Sequence, residues 1–192
     1  MDKQATLDAL QSELGDRAST VDVRRIVYSH DMGTLPDVVR KFIDTMPAMV
    51  VQPETADEVR RIAVLARDGG LPLVPRGSAS AGYGGAVPAA SGVVVDMYRM
   101  RGLLSLDADA SCATAPATTL EELDAALREA GFRMPLMPTS APSATIGGFV
   151  CQGGSGIGGA REKTMRDNLV AVTAVLGDGS VRTFTGEDLD LV

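Results

Sequence analysis

Aromatic side chains are scarce in this chain of 192 residues: tryptophan is absent, and aromatic residues make up 4% of the sequence. Proteins that bind single-stranded nucleic acid usually stack the bases on aromatic rings. The formal net charge of -7 also disfavours a surface that follows a phosphate backbone. We therefore exclude nucleic acid as a partner. A small phosphorylated cofactor stays compatible, because backbone N–H groups hold phosphates without cationic side chains.

Cysteine and histidine are too few to suggest a metal site. Cys112 and Cys151 are the only cysteines, and they form no Cys-x-x-Cys pair. We expect both to be small buried residues. His30 is the only histidine and lies in a Tyr-Ser-His-Asp stretch before the first strong core element, where we expect a surface position or a local cap.

Long apolar runs are also missing, since no run reaches the roughly 18 residues that a membrane-spanning helix needs. The N-terminal stretch from Lys3 to Leu14 is polar and helical, without the apolar centre of a signal peptide. These features predict a cytoplasmic protein without a transmembrane segment. Association with a membrane through a partner stays open.

A structural unit occurs twice along the chain. In each copy a threonine followed three residues later by glutamate predicts a capping box at the start of an amphipathic helix: Thr55 with Glu58, and Thr119 with Glu122. Glycine then ends the helix, and a short extended segment, a proline and a loop of small residues follow. We expect the two loops to face each other across one ligand.

Other elements follow from apolar periodicity and from turn residues. The pattern predicts helices at 3–14 and 35–45, strands at 48–52 and 92–96, a hairpin formed by 103–106 and 111–115, and a second hairpin formed by 169–176 and 180–184.

The first loop, residues 75–85, has the composition of a phosphate-binding turn. Small residues allow the backbone to approach a ligand, and successive N–H groups form an anion-binding nest. The spacing from Gly77 to Gly82 resembles the start of a Walker A loop, but Tyr83-Gly84 stands where that motif needs lysine and a hydroxyl residue. A nucleoside triphosphatase is therefore excluded.

The second loop, residues 143–159, contains a GxGxxG pattern formed by Gly154, Gly156 and Gly159. A Rossmann site needs a strand directly before these glycines and a helix that opens on them. Another glycine pair and a polar stretch precede them instead. The pattern therefore does not indicate a dinucleotide site of the Rossmann type.

The two loops, in this order and at this spacing, resemble a known family. The run from Met49–Pro53 through Arg76–Ser80 to Thr145–Gly148 is similar to the FAD-binding domain of the vanillyl-alcohol oxidase and p-cresol methylhydroxylase (PCMH) flavoproteins. Within that family it is most similar to the FAD subunits of glycolate oxidase and to the D-lactate dehydrogenases. The resemblance covers residues 45–186.

This resemblance implies an α+β fold in which two α+β subdomains clasp an extended FAD. It divides the chain into an N-terminal helical extension, residues 1–45, and a PCMH-type FAD-binding domain, residues 46–192. That domain is expected to be C-terminally incomplete, because a further Gly-Ser-Glu-Gly stretch of the family is missing. The substrate-binding cap domain of the family is absent as well.

The resemblance also assigns residues to the cofactor. Arg76 to Ser80 would hold the pyrophosphate through backbone N–H groups, and Pro138, Thr139 and Ser140 would lie near the ribityl chain and flavin. The complete expected set is Pro75, Arg76, Gly77, Ser78, Ala79, Ser80, Gly82, Tyr83, Pro138, Thr139, Ser140, Thr145, Gly147, Gly148, Gln152, Gly153, Gly154 and Ser155. The FAD is expected to be non-covalent, since the first loop lacks the histidine to which some relatives attach it.

One departure lies close to the second loop. Many relatives have a Tyr-Gly pair where this chain has Glu162-Lys163. The Arg166-Asp167-Asn168 stretch after it matches the family pattern. We therefore expect the local flavin contacts to differ while the fold is kept.

The implied function is that of an FAD-dependent oxidoreductase acting on the CH–OH group of a small 2-hydroxy acid, such as glycolate or D-lactate. Without the cap domain these residues alone are expected to be inactive, and no catalytic base is identified. Three alternatives stay open: a flavin-binding electron-transfer module that serves a partner subunit, the reductase that completes UDP-N-acetylmuramic acid, and a cofactor-free structural domain.

Overall fold

The computed structural model describes residues 2–102, 105–107, 109, 112–114 and 117–191. The chain forms two compact units. The first comprises Met1–Arg99 with Val175–Arg182, and the second comprises Met100–Ala174 with Thr183–Val192. Each contains helices and strands, as expected for an α+β protein.

A four-stranded sheet forms the centre of the first unit. Its strands are β1 (Ala18–Ser19), β2 (Met49–Val51), β3 (Leu73–Arg76) and β4 (Val93–Asp96), in the spatial order β1-β2-β4-β3. The strands β2, β4 and β3 are parallel, whereas β1 pairs with β2 in the antiparallel sense. The residues of β2 and β4 are buried throughout, which explains why Met49–Val51 and Val93–Val95 are unbroken apolar runs rather than alternating patterns.

The helices of this unit are α1 (Lys3–Leu14), α2 (Asp22–Val27), α3 (Asp37–Arg40) and α4 (Ala56–Asp68). As predicted, α1 ends at Gly15, which adopts a positive φ of 59°. Thr55 caps α4 by accepting a hydrogen bond from the Glu58 N–H at 3.1 Å. The apolar faces of α1 and α4 meet the sheet in one core: Leu10, Leu14, Ala18, Met49, Val51, Ile62, Ala66, Leu71, Val93 and Val95.

The second unit contains the hairpin strands β5 (Ser105–Asp107) and β6 (Cys112–Thr114), which pair antiparallel. Three helices follow: α5 (Leu120–Glu129), α6 (Ile146–Cys151) and α7 (Gly159–Glu162). The predicted capping box is complete at α5, where Thr119 and Glu122 each accept the other's backbone N–H. The core consists of Leu120, Leu123, Leu127, Met134, Leu136, Ala141, Ala144, Phe149 and Met165.

The last predicted hairpin is also present, as β7 (Ala171–Val175) and β8 (Val181–Thr185). Its turn is closed by the Leu176 N–H, which donates to the Ser180 carbonyl at 2.8 Å. Gly179 adopts a φ of 84° in this turn, a conformation that favours glycine. The chain then ends in a 3₁₀ turn, Gly186–Leu191. In the described ranges no helix combines the length and the apolar character needed to cross a membrane.

Two predictions need correction. The helix expected at 35–45 is limited to α3, because Val38 and Phe42 are 62% and 83% exposed and so provide no buried face to stabilise a longer helix. Cys151 was expected to be buried but is exposed. The short helix α6 turns Phe149 into the core, and Cys151, two residues later, lies on the opposite face. His30 is exposed, as expected.

Parts of the predicted first hairpin lie outside the described residues, namely Leu103, Leu104, Ser111 and Ala115. The prediction for the side chain of Cys112 lies outside the described part as well.

A first prediction concerns the ion pair between Arg17 and the start of α4. Arg17 donates two hydrogen bonds to the Glu58 carboxylate, at 2.8 and 2.7 Å, and these lower the Glu58 pKa from 4.5 to about 2. A depressed carboxyl pKa stabilises the fold above the unfolded-state pKa, and this stabilisation is lost as the pH falls through the folded-state value. We expect Glu58→Gln to lower the free energy of unfolding by about 2 kcal/mol at pH 7.

Urea unfolding at several pH values measures this difference. The gap between wild type and Glu58→Gln should hold above pH 4.5 and shrink between pH 4.5 and about 2. Glu129→Gln, the same change at an exposed residue of α5, is the control and should change the free energy of unfolding at pH 7 by less than about 0.5 kcal/mol. A gap that does not change with pH would contradict the assignment.

A second prediction concerns Gly92, which precedes β4 with a φ of 93°. A Cβ atom there would lie 2.4 Å from the backbone oxygen of Pro72. We expect Gly92→Ala to lower the free energy of unfolding by roughly 2 kcal/mol or more, since backbone strain and overpacking act together. Gly85→Ala is the control, because nothing lies within 4 Å of its Cβ position. Equal melting temperatures for the two variants would refute this.

Candidate functional site

The carboxyl ends of the parallel strands bring three polar residues to one edge of the first unit's sheet. Gln52 follows β2, Arg76 ends β3 and Asp96 ends β4. In open sheets of parallel strands, ligands bind outside these ends. A pocket of about 390 Å³ opens there. Its lining residues are Val27, Tyr28, Gln52, Arg76, Gly77, Ser78, Asp96 and Tyr98.

A buried carboxylate organises the wall of this pocket. Asp96 is 4% exposed and accepts hydrogen bonds from the Tyr28 hydroxyl at 2.5 Å and from the Gln52 amide at 2.6 Å. Its other oxygen accepts the Tyr98 N–H at 3.0 Å. Burial, together with the bond to Asp96, raises the pKa of Tyr28 to about 12. Tyr28 therefore stays protonated at neutral pH and acts as a donor.

The side chain of Arg76 lies over the ring of Tyr28, with 4.9 Å between the guanidinium carbon and the ring centroid. Its Nη1 donates to the carbonyls of His30 at 2.8 Å and of Ala86 at 3.4 Å. Burial lowers the pKa of Arg76 below its ordinary value. The guanidinium thus connects the end of β3 with the segment before α3, at His30, and with Ala86, directly after the first loop.

The first loop leaves a row of backbone donors unused. Among the described residues, none accepts a hydrogen bond from the N–H groups of residues 77–83. Ala79 adopts a φ of 53°, which is unusual for a residue with a side chain. Tyr83 is 89% exposed. A run of unshared amides beside a polar pocket fits the anion-binding nest predicted from the sequence.

The N-terminal segment holds this loop. The buried carboxylate of Asp31 accepts the N–H groups of Gly84 at 2.7 Å and of Gly33 at 2.8 Å. The Met32 N–H donates to the Ala79 carbonyl at 3.2 Å. A Cβ atom on Gly33 would lie 2.3 Å from the Gly82 oxygen. The sequence did not predict four of these residues as part of the site: Tyr28, Asp31, Gln52 and Asp96. Tyr28 and Asp31 belong to the polar Tyr-Ser-His-Asp stretch around His30, which is the one local signal that points to this segment.

The second unit carries the remaining predicted site residues. Pro138 and Ser140 form a turn, in which the Ser140 carbonyl accepts the Ala144 N–H at 2.7 Å. Thr145 caps α6 by accepting the Gly148 N–H at 3.4 Å. The helix α6, rather than a strand, precedes the glycine pattern that begins at Gly154, in keeping with the exclusion of a Rossmann site. Thr139 and Ser155 are exposed, and Pro138 and Gly147 are half-buried.

The glycines of the second loop serve close backbone packing. Met137 and Ile157 exchange two backbone hydrogen bonds, at 3.1 and 2.9 Å. A Cβ atom on Gly156 would lie 2.6 Å from the Met137 oxygen, and one on Gly158 would lie 2.4 Å from the Pro135 oxygen. The loop is therefore pressed against the extended segment before it. Unlike the first loop, it uses many of its own amides internally.

Two features describe the backbone at Glu162-Lys163, where this chain departs from the expected family pattern. Lys163 adopts a φ of 62°, a conformation that glycine accommodates more easily. Asn168 donates to the carbonyls of Glu162 and Thr164, both at 2.8 Å. The Arg166–Asn168 3₁₀ turn thus holds the backbone of the segment around Lys163.

The predicted site residues fall into the two units. The first-loop residues, Pro75 to Tyr83, lie in the first unit, and the residues from Pro138 to Ser155 lie in the second. The expectation that both loops face one ligand stays a prediction.

A family model and two curated relatives assign this chain to the same kind of protein. A family model described as "FAD binding domain" matches residues 47–185. The glycolate oxidase subunit GlcD of Bacillus subtilis is 30% identical over 158 residues, which cover 82% of this chain and 32% of that protein. A D-lactate dehydrogenase of Archaeoglobus fulgidus is 33% identical over 142 residues, covering 73% and 32%. The chain thus spans about a third of the length of these relatives.

Solved structures show the same fold. An alkyldihydroxyacetonephosphate synthase matches with a TM-score of 0.82 at 23% identity, covering 98% of this chain and 36% of that one. A p-cresol methylhydroxylase matches with a TM-score of 0.67 at 17% identity, covering 94% and 35%. Together with the family model and the two relatives, this establishes that the chain belongs to the FAD-binding-domain family of the vanillyl-alcohol oxidase and p-cresol methylhydroxylase flavoproteins, with FAD as its cofactor.

Proposed function

We propose that this chain forms the FAD-binding part of an oxidoreductase that oxidises a small 2-hydroxy acid, such as glycolate or D-lactate, to the 2-oxo acid. When bound, FAD supplies the redox chemistry by accepting the two electrons removed from the CH–OH group. The relatives named as a glycolate oxidase subunit and as a D-lactate dehydrogenase support this substrate class. The chain's own residues bind the cofactor and orient it.

The row of unshared N–H groups in residues 77–83 carries the assignment of the cofactor site. In our proposal Pro75 and residues 76–83 form the pyrophosphate-binding loop. Backbone dipoles suit this task in a protein of net charge -7, because they attract a phosphate without a cluster of cationic side chains. Arg76 adds one positive charge beside the loop while its Nη1 stays bonded to backbone carbonyls.

The residues of the second unit would form the wall along the ribityl chain and the flavin. They are Pro138, Thr139, Ser140, Thr145, Gly147, Gly148, Gln152, Gly153, Gly154 and Ser155. Their backbone is held by internal bonds, such as the Gly154 N–H to the Phe149 carbonyl at 3.1 Å. A rigid wall of this kind excludes water and fixes the orientation of a flat ring system.

The rest of the enzyme would provide the substrate side of the site. Since this chain matches only 32% of the length of its curated relatives, we propose that residues outside it bind the hydroxy acid. The relative GlcD is named as a subunit. An electron-accepting partner subunit is therefore part of the proposal.

A third prediction tests the cofactor site. After incubation with FAD and gel filtration, the 192-residue chain should retain the flavin absorbance, and denaturation should release the flavin because it is not covalently attached. Excess ADP should displace FAD, since it carries the pyrophosphate that the first loop would hold. Retained FAD that ADP does not displace would contradict the assignment of the pyrophosphate to residues 77–83.

A fourth prediction tests the substrate class. The native enzyme, isolated from its own cells through a tag on this chain, should reduce an electron-accepting dye with glycolate or D-lactate. It should not do so with 3-hydroxypropanoate, whose hydroxyl group is one carbon farther from the carboxylate. If no 2-hydroxy acid in a panel supports dye reduction, the proposed substrate class is wrong, whereas the assignment of FAD as the cofactor still stands.

A further inference from the structure

We propose that Asp31 is the positioning residue of the FAD-binding loop. By binding the N–H of Gly84, its carboxylate would hold the loop in the shape in which the N–H groups of residues 77–83 converge on a pyrophosphate. This inference rests on the proposed role of that loop. It assigns a cofactor-related task to a segment that lies outside residues 47–185, which the family model matches.

The geometry of Asp31 is that of a clamp between two segments. One carboxylate oxygen accepts the Gly84 N–H at 2.7 Å, across 53 positions of sequence, and the other accepts the Gly33 N–H at 2.8 Å. The residue is 9% exposed. A buried carboxylate bonded to backbone amides on both sides gives strong hydrogen bonds and a fixed geometry.

Three more contacts join the same two segments. The Met32 N–H donates to the Ala79 carbonyl at 3.2 Å, at the residue with the positive φ. Gly33 and Gly82 approach so closely that either Cβ would crowd the other glycine's backbone. Arg76 donates to the His30 carbonyl at 2.8 Å. The segment from His30 to Gly33 therefore contacts the loop at its start, middle and end.

Neutralising the charge of Asp31 has opposite expected effects on ligand binding, depending on whether the residue positions the loop or acts only through its charge. A carboxylate beside a pyrophosphate site repels the ligand, so neutralising it would strengthen binding if charge were its only contribution. If Asp31 positions the loop, neutralising it weakens binding instead. Asparagine has one oxygen and one NH₂ group in place of two oxygens, so it cannot accept the Gly84 and the Gly33 N–H on separate oxygens as Asp31 does.

The experiment compares Asp31→Asn with Asp44→Asn. Asp44 lies in the same N-terminal part of the chain, is exposed, and accepts the Met46 N–H at 3.1 Å. The dissociation constants for FAD and ADP are measured well below the melting temperature of each apoprotein. We expect Asp31→Asn to weaken both ligands about tenfold or more, which corresponds to about 1.4 kcal/mol. Asp44→Asn should stay within about twofold of wild type.

A second variant disturbs the neighbouring contact between Gly33 and Gly82, which joins the same two segments, without changing charge. Gly33→Ala would place its Cβ 2.3 Å from the Gly82 oxygen and so displace the loop from the other side. We expect it to weaken ADP binding in the same direction as Asp31→Asn. It therefore keeps the proposal testable if Asp31→Asn does not fold.

Unchanged or tighter ADP binding in Asp31→Asn would overturn the proposal. So would a variant that melts at a lower temperature yet binds ADP as wild type does, because a residue that only stabilises the fold produces that pattern. Failure of the proposed function looks different: wild type itself would bind neither FAD nor ADP.

Discussion

Backbone N–H groups bond to acceptors in the protein, to water or to a ligand, and the two glycine-containing loops of the protein differ in which of these they use. In the second loop many amides are used internally, as in the paired bonds between Met137 and Ile157. In the first loop the amides of residues 77–83 have no acceptor in the described part of the chain. In our proposal this row of amides binds the pyrophosphate of FAD.

Glycine has different tasks in the two loops. Gly156 and Gly158 allow one backbone segment to press against another, with carbonyl oxygens where a Cβ would stand. Of the GxGxxG glycines, Gly156 packs in this way, and a Cβ on Gly154 would meet the Phe149 ring, so packing within the unit explains both. In the first loop Gly82 has a similar task against Gly33, whereas the neighbouring amides have no acceptor among the residues that the structure describes.

The buried polar groups at the strand ends give the pocket a fixed shape. The carboxylate of Asp96 is bonded to Tyr28, Gln52 and the backbone of Tyr98, so its charge is compensated by donors that belong to the protein itself. Arg76 similarly uses its Nη1 on backbone carbonyls. Ligand recognition in our proposal therefore rests on backbone amides, while the charged side chains maintain the geometry around them.

Local signals in the sequence determined the family, the cofactor and most of the regular elements. The caps at Thr55 and Thr119 and the glycine stops at Gly15 and Gly131 act within one or two turns, so they can be recognised without knowledge of the rest of the fold. Tertiary structure decided which side chains surround the site. Asp31 meets Gly84 across 53 positions and Tyr28 meets Asp96 across 68, and no local pattern reports such pairs. The exposure of Cys151 and the shortness of α3 have the same origin, because burial depends on which neighbours the fold supplies and not on the residue alone.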